Sequence, residues 1–259
     1  MQPTRAMDDI LRGLAEQDDE LDQLLAGLDE AAWAGPSRCP GWSISDVLLH
    51  LAQTDEMALA SAERRFTAAA VAFGHPEGAS PGATVDDLAG RAVAAERGRP
   101  AAEVYQRWRA ASAAQAKALA ACEPGARLPW VAGEMSALSL ATTRLAESWI
   151  HTGDVAAALG REPVATGRLR PIARLAWRML PYAFSRAGRT LSGPVALALT
   201  APDGDTWEFT PDGPAATTVS GPALDFCLLA ARRIPPSATA LEARGPDGDA
   251  VLELVRTFA

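Results

Sequence analysis

The sequence predicts an N-terminal four-helix bundle followed by a smaller α+β domain. Three observations carry that expectation. Apolar residues recur at helical spacing through about the first 160 residues, with no strand signal. Short β-like runs replace them beyond residue 162. Pro-Asp-Gly, a strong turn signal, punctuates the later segment at 202–204, 211–213 and 246–248. The expected domains are therefore 1–162, a helical bundle, and 163–259, an α+β unit.

The first helix is read over 7–28, where Ile10, Leu11, Leu14, Leu21, Leu24, Leu25 and Leu28 form an apolar stripe before Pro36. Pro40-Gly41 is a turn, and Ser43 is a good N-cap with Asp46 three residues on. That opens a second helix from about Ile44 to Phe73. Residues 74–83 are Gly/Pro-rich and read as a loop. A third helical region spans about 84–121, interrupted near Gly98 and Pro100, and 124–134 reads as a loop. The fourth helix runs from about Met135 to Leu159 and stops at Gly160, a natural C′ residue. Beyond it a helix is expected over about 168–187, then strands in GPVALALT, TWEFT and ATTVSG. A short helix from about Pro222, a strand in SATALEARG and a closing helix in DAVLELVRTFA complete the chain. The three Pro-Asp-Gly turns read as hairpin punctuation.

Composition narrows the function. The 259 residues carry 24 Lys+Arg against 32 Asp+Glu, a net charge of -8. That balance argues against nucleic acid, which needs a basic footprint, and against anionic lipid. A hydrophobic fraction of 48% fills a core and excludes wholesale disorder. Cys39, Cys122 and Cys227 are far apart and form no CxxC, so neither a disulfide framework nor a zinc knuckle is expected. All three read as packing residues, and the expected compartment is the reducing cytoplasm. The N-terminus lacks a signal-peptide pattern, and no stretch reaches the ~20 apolar residues of a membrane span. Lys117 is the only lysine, which with the abundant Ala and Arg resembles the bias of a high-GC genome.

Chemistry concentrates at two of the three histidines. His75 sits in the Gly/Pro segment and reads as solvated, whereas His50 and His151 lie inside helices two and four. Glu147 precedes His151 by four residues, so both leave one helix face, and Asp154 falls on the same stripe. If helices two and four are neighbours, His50 meets Glu147 and His151. Two imidazoles and a carboxylate then form a three-ligand divalent site with open positions, the pattern of a catalytic rather than a structural metal. The same spacing also arises in helices whose histidines merely hydrogen-bond. Arg170, Arg174 and Arg178 share one helix face, read either as solvated or as anion-binding. No dinucleotide fingerprint, Walker loop or nucleophile elbow is present.

CPGWSISDVLLHLAQTDE resembles the second helix of DinB-like proteins, and within them the mycothiol-dependent maleylpyruvate isomerases. There a Pro-Gly-Trp-(Ser/Thr) turn precedes the helix bearing the first metal-binding His, here His50. RLAESWIHTGDVAAALG resembles the family's fourth helix, whose Glu and His are the other two ligands, here Glu147 and His151. GPALDFCLLAARR resembles a C-terminal segment whose arginine faces the active site, matched here by Arg233. LPYAF, TAPDGDTWEF and GPALDFC look more like an actinobacterial metal-binding subfamily than like the isomerase itself.

The resemblance implies a divalent metal, zinc first and nickel second, and mycothiol as cosubstrate. It implies an isomerase or S-transferase acting on a small, electrophilic, anionic substrate, with Arg233 and Asp154 as catalytic candidates. The expected protein is a cytoplasmic monomer or homodimer with no nucleic-acid or membrane partner. Two other functions stay open. One is a thiol-independent, metal-dependent tailoring enzyme of natural-product biosynthesis. The other is a non-catalytic module whose sterol-carrier-like C-terminal domain holds a lipid.

Overall fold

The computed structural model describes residues 3–72, 84–131 and 133–257, and it divides into two compact units, 1–163 and 164–259. His75 and Phe73, with the Gly/Pro-rich segment, lie outside the described residues.

In the first unit the helices are α1 (Pro3–Leu25), α2 (Glu30–Ala34), α3 (Ile44–Ala62), α4 (Phe66–Ala72), α5 (Val85–Glu96), α6 (Ala101–Ala120) and α7 (Ala137–Ala158). Between α6 and α7 runs a hairpin of β1 (Arg127–Trp130) and β2 (Gly133–Ser136). The four long helices close a ring in which α1 touches α7 and α6, and α3 touches α6 and α7. Their apolar stripes meet in a core that includes Leu21, Leu48, Leu51, Val104, Trp108 and Val155. That burial is the main drive for helices whose isolated stability would be marginal.

Local chemistry sets the helix ends. Ser43 accepts from the Asp46 amide at 3.1 Å while Asp46 accepts from the Ser43 amide at 2.9 Å, a complete capping box opening α3. Ser136 caps α7 by accepting from Ser139 N at 3.0 Å. At the far end of α7, Gly160 takes φ 68°, and Arg161 N reaches the Ala156 carbonyl at 2.8 Å. This is a Schellman stop, which needs the left-handed geometry glycine adopts freely.

Two expectations for this unit need correction. The second helix does not run unbroken toward Phe73: α3 stops at Ala62 and α4 begins at Phe66. The stop is again a Schellman motif, with Arg65 N on the Ala60 carbonyl at 2.7 Å, but Arg64 fills the left-handed position at φ 62°. No glycine marks it, so composition carries no stop signal there. The loop expected over 124–134 is largely the β1–β2 hairpin, with Leu128 opposite Met135.

The second unit contains α8 (Leu169–Arg178), α9 (Leu180–Arg186), β3 (Val195–Thr200), β4 (Thr206–Phe209), β5 (Thr217–Pro222), α10 (Ala223–Ala230), β6 (Glu242–Arg244) and α11 (Gly248–Leu254). The sheet order is β4-β3-β5-β6. β3 pairs antiparallel with β4 and parallel with β5, placing Leu197 opposite Val219. Val195, Leu197 and Leu199 alternate inward on the central strand, while Ile172, Ala176 and Phe226 of the helices are buried with them.

Only the first Pro-Asp-Gly turn is hairpin punctuation. The turn at 202–204 joins antiparallel neighbours, whereas that at 211–213 leads from β4 past β3 to β5, and that at 246–248 opens α11. The helix expected over 168–187 is two helices meeting at Met179, because Pro181 cannot donate to the preceding turn. Arg170, Arg174 and Arg178 are exposed, as a solvated face requires. Among the described residues no helix is long and apolar enough to cross a membrane.

Candidate metal centre

α3 and α7 are neighbours, and that contact brings together residues 97 positions apart. His50 Nε2 lies 2.8 Å from Glu147 Oε1, and His151 Nε2 lies 3.4 Å from the same oxygen. The two imidazole rings meet edge to face with centroids 4.9 Å apart. The three donor atoms fall within 4.8 Å of one another, and all three residues are buried. Two nitrogens and one carboxylate oxygen converging on one point fit a borderline divalent ion with coordination positions left open.

A further layer holds these side chains. Asp154, one turn beyond His151, places Oδ2 at 3.0 Å from His151 Nδ1. Cys39 Sγ donates to the same oxygen at 3.2 Å and lies 3.8 Å from His151 Nδ1. The carboxylate fixes which imidazole nitrogen is protonated and aims Nε2 at Glu147, the arrangement that orients histidine ligands. Cys39 is presented by a folded loop: Ser37 Oγ donates to the Trp42 carbonyl at 2.9 Å and accepts from Cys39 N at 3.1 Å. Trp42, from the same loop, packs against His50 with ring centroids 5.2 Å apart.

The electrostatics follow from burial and pairing. Burial pushes the Glu147 carboxyl up, but hydrogen bonds from His151 and His50 hold it well below the usual carboxylate range. Burial pushes His151 down, yet Asp154, Cys39 and Glu147 together raise it well above an ordinary histidine. His50 is lowered by burial and by the neighbouring charge of His151, against its bond to Glu147. Glu147 is thus held toward its carboxylate form, with the two imidazoles shifted in opposite directions by their surroundings.

Deeper in the bundle, Arg144 is fully buried one turn before Glu147. Its Nε and Nη2 donate to Asp55 Oδ1 at 3.1 and 2.9 Å, and Nη2 also reaches Thr54 Oγ1 at 3.0 Å. Gln115 donates to the same Asp55 oxygen at 2.6 Å. Asp18 accepts from Ser112 and, at 2.7 Å, from Ser148. Burial pushes Asp55 up to about 7 against the pull of Arg144, and burial raises Asp18 against its serine donors.

Four of the residues singled out from sequence thus gather in one place: His50, Glu147, His151 and Asp154. Arg233 lies in the second unit, just after α10, where its Nη1 donates to the Ala231 carbonyl at 2.8 Å. Sequence reasoning missed Cys39, which was read as a packing residue, and the buried Arg144, Asp55 and Asp18. The available signal for Cys39 was its place beside the Pro-Gly-Trp turn that aims α3. For Arg144 it was a position three residues before Glu147 on the same helix face.

Residues 14–156 match the family model for the mycothiol maleylpyruvate isomerase N-terminal domain, and residues 171–252 match that for the MDMPI C-terminal domain. The chain belongs to this family. Among its relatives are two uncharacterized proteins of Mycobacterium tuberculosis, from strains CDC 1551 and H37Rv. Each is 38% identical over 253 residues, covering 95% of this chain and 93% of the relative. The crystal structure of the mycothiol-dependent maleylpyruvate isomerase superposes with a TM-score of 0.59 at 18% identity, over 93% of this chain and 95% of the other. A histidine-to-alanine mutant of that enzyme gives 0.57 at 18% identity, over 88% and 90%. These two likenesses establish the shared fold.

Proposed function

We propose that the protein is a metal-dependent enzyme that uses a low-molecular-weight thiol, mycothiol by family, to isomerise or conjugate a small electrophilic substrate. The observation that carries this reading is the buried convergence of His50, Glu147 and His151 from α3 and α7. Zinc suits the donor set best, and nickel suits it next. Family membership supports the thiol. When bound there, a divalent ion supplies Lewis acidity that favours the thiolate form of a thiol at neutral pH.

The protein's own residues do the rest. His50, Glu147 and His151 hold the ion in a buried pocket. Asp154 keeps the proton on His151 Nδ1, leaving Nε2 as donor. Cys39 hydrogen-bonds Asp154 and limits its swing. Arg233 is proposed as the contact for an anionic group of the substrate, since a planar guanidinium matches a carboxylate in two parallel hydrogen bonds.

The test uses the full chain, stripped of metal and reloaded with Zn²⁺ or Co²⁺. One ion per chain is expected, with loss of most of it in His50→Ala and His151→Ala. Mycothiol added to the Co²⁺ form should produce a sulfur-to-cobalt charge-transfer band. Undiminished metal in both variants would refute the site. A normal metal content with no new band would refute the thiol and leave a thiol-independent metalloenzyme.

A further inference from the structure

The four long helices are joined by a layer of buried polar groups beside the candidate metal ligands. Asp55 of α3 gathers two donors on one oxygen, Gln115 Nε2 of α6 at 2.6 Å and Arg144 Nη2 of α7 at 2.9 Å. Asp18 of α1 accepts from Ser148 of α7 at 2.7 Å and from Ser112 of α6. Two carboxylates thus tie all four helices together, and every side chain in the layer is buried. One thread runs from this layer to a candidate ligand. Arg144 Nη2 donates to Thr54 Oγ1 at 3.0 Å, and Thr54 Oγ1 donates to the His50 carbonyl at 2.9 Å. At its other end, the thread starts three residues before Glu147 on α7.

We propose that Arg144 is a positioning residue for the metal centre. Through Asp55 and Thr54 it fixes the spacing and register of α3 against α7, and so sets where His50 stands relative to Glu147 and His151. The proposal rests on the metal reading above and names what holds the donor set in shape. Three arguments support it. The donors come from two helices, and a working constellation must be held to within about 0.5 Å. Apolar stripes are non-directional and let helices slide or roll at little cost. A guanidinium whose Nε and Nη2 share one carboxylate oxygen, with Nη2 also on a hydroxyl, is satisfied at one spacing only. A buried ion pair is also a poor source of stability, because desolvation offsets its attraction and well-packed apolar residues often serve as well or better. Its best-attested return is register. Placement agrees: Thr54 and Asp55 follow His50 by four and five residues, so the tie grips each helix close to its ligand.

The experiment separates positioning from mere stability in the full-length protein. A triple variant, Asp55→Leu with Gln115→Met and Arg144→Met, removes the whole Asp55 cluster and strands no buried charge. Its denaturant midpoint should match or exceed that of wild type. Its Co²⁺ affinity should nevertheless fall by roughly tenfold or more, the scale seen when support for a ligand is lost, and its cobalt ligand-field bands should shift. In crystals of the metal-free variant, His50 Nε2 should stand at least about 1 Å farther from Glu147 Oε1 than the wild-type 2.8 Å, a misplacement large enough to matter for chemistry. Thr54→Val cuts only the thread to the His50 carbonyl and should weaken Co²⁺ by about two- to tenfold, the worth of one hydrogen bond. A folded triple variant with wild-type affinity and bands would overturn the proposal and leave Arg144 a structural residue. Should the triple variant not fold, Thr54→Val decides, and its unchanged affinity would overturn the proposal equally. Failure of wild type to bind Co²⁺ would instead refute the metal reading. The separation of His50 from Glu147 in the metal-free variants then decides the positioning role, and an unchanged 2.8 Å would end it.

Discussion

Asp154 holds His151 Nδ1 at 3.0 Å, so its replacement tests the value of orientation. Asp154→Asn should fold normally and lower metal affinity by roughly 10–100-fold, as loss of such a partner does elsewhere. Cys39→Ala should cost less, because the carboxylate remains. Chelator competition on the purified variants reads both effects, and equal affinity in Asp154→Asn and wild type would show that α7 alone aims the imidazole. Asp55 offers a test through pH. Its folded pKa of about 7 exceeds the roughly 3.9 of an unfolded aspartate. The folded state then holds the extra proton, so the associated stability is full below about pH 4 and is lost as pH rises through 7. The midpoint of thermal unfolding should fall between pH 5 and 8 in the metal-free protein. Asp55→Asn removes the counterion of Arg144 only where Asp55 is ionised, so it should be less stable than wild type above about pH 7 and show a shallower slope below it. An unchanged slope would mean that Asp55 is ionised across the range.

At the scale of elements, legibility tracked the strength of local signals. α3 and α7 could be read because Ser43, Asp46 and Gly160 announce their ends, and their facing stripes carry His50, Glu147 and His151. The break after Ala62 could not, because Arg64 occupies a left-handed position by tertiary demand. Such a residue costs roughly 1–2 kcal/mol relative to glycine, partly offset by glycine's larger entropy loss. Arg64→Gly should therefore raise stability by about 0.5–1 kcal/mol in denaturant titration. A lower value would show that the Arg64 hydrogen bond to the Arg127 carbonyl, 3.2 Å long, outweighs the strain. The β1–β2 hairpin escaped notice because its strands are four residues each and carry Pro129. The role of Cys39 was equally hidden: its partner Asp154 is 115 residues away, and one sequence holds no record of that contact.

For the molecule as a whole, the candidate metal ligands belong to one compact unit and Arg233 to the other. His50, Glu147, His151 and Asp154 all belong to residues 1–163. A fragment of those residues should unfold cooperatively with a helical circular dichroism spectrum and keep one metal ion per chain. If it folds but loses the ion, the second unit contributes to metal retention and the site is not self-contained.

The pairing of α1 with α7 has a consequence for how the chain is made. α1 emerges from the ribosome before its neighbour α7, which begins at Ala137, more than a hundred residues later. At translation rates of about 5–20 residues per second, the apolar stripe of α1 waits on the order of 5–20 s for that cover. His50 waits similarly for Glu147 and His151. Nascent chains stalled short of α7 should thus be sticky, protease-sensitive and unable to take up metal, whatever the stability of the finished protein.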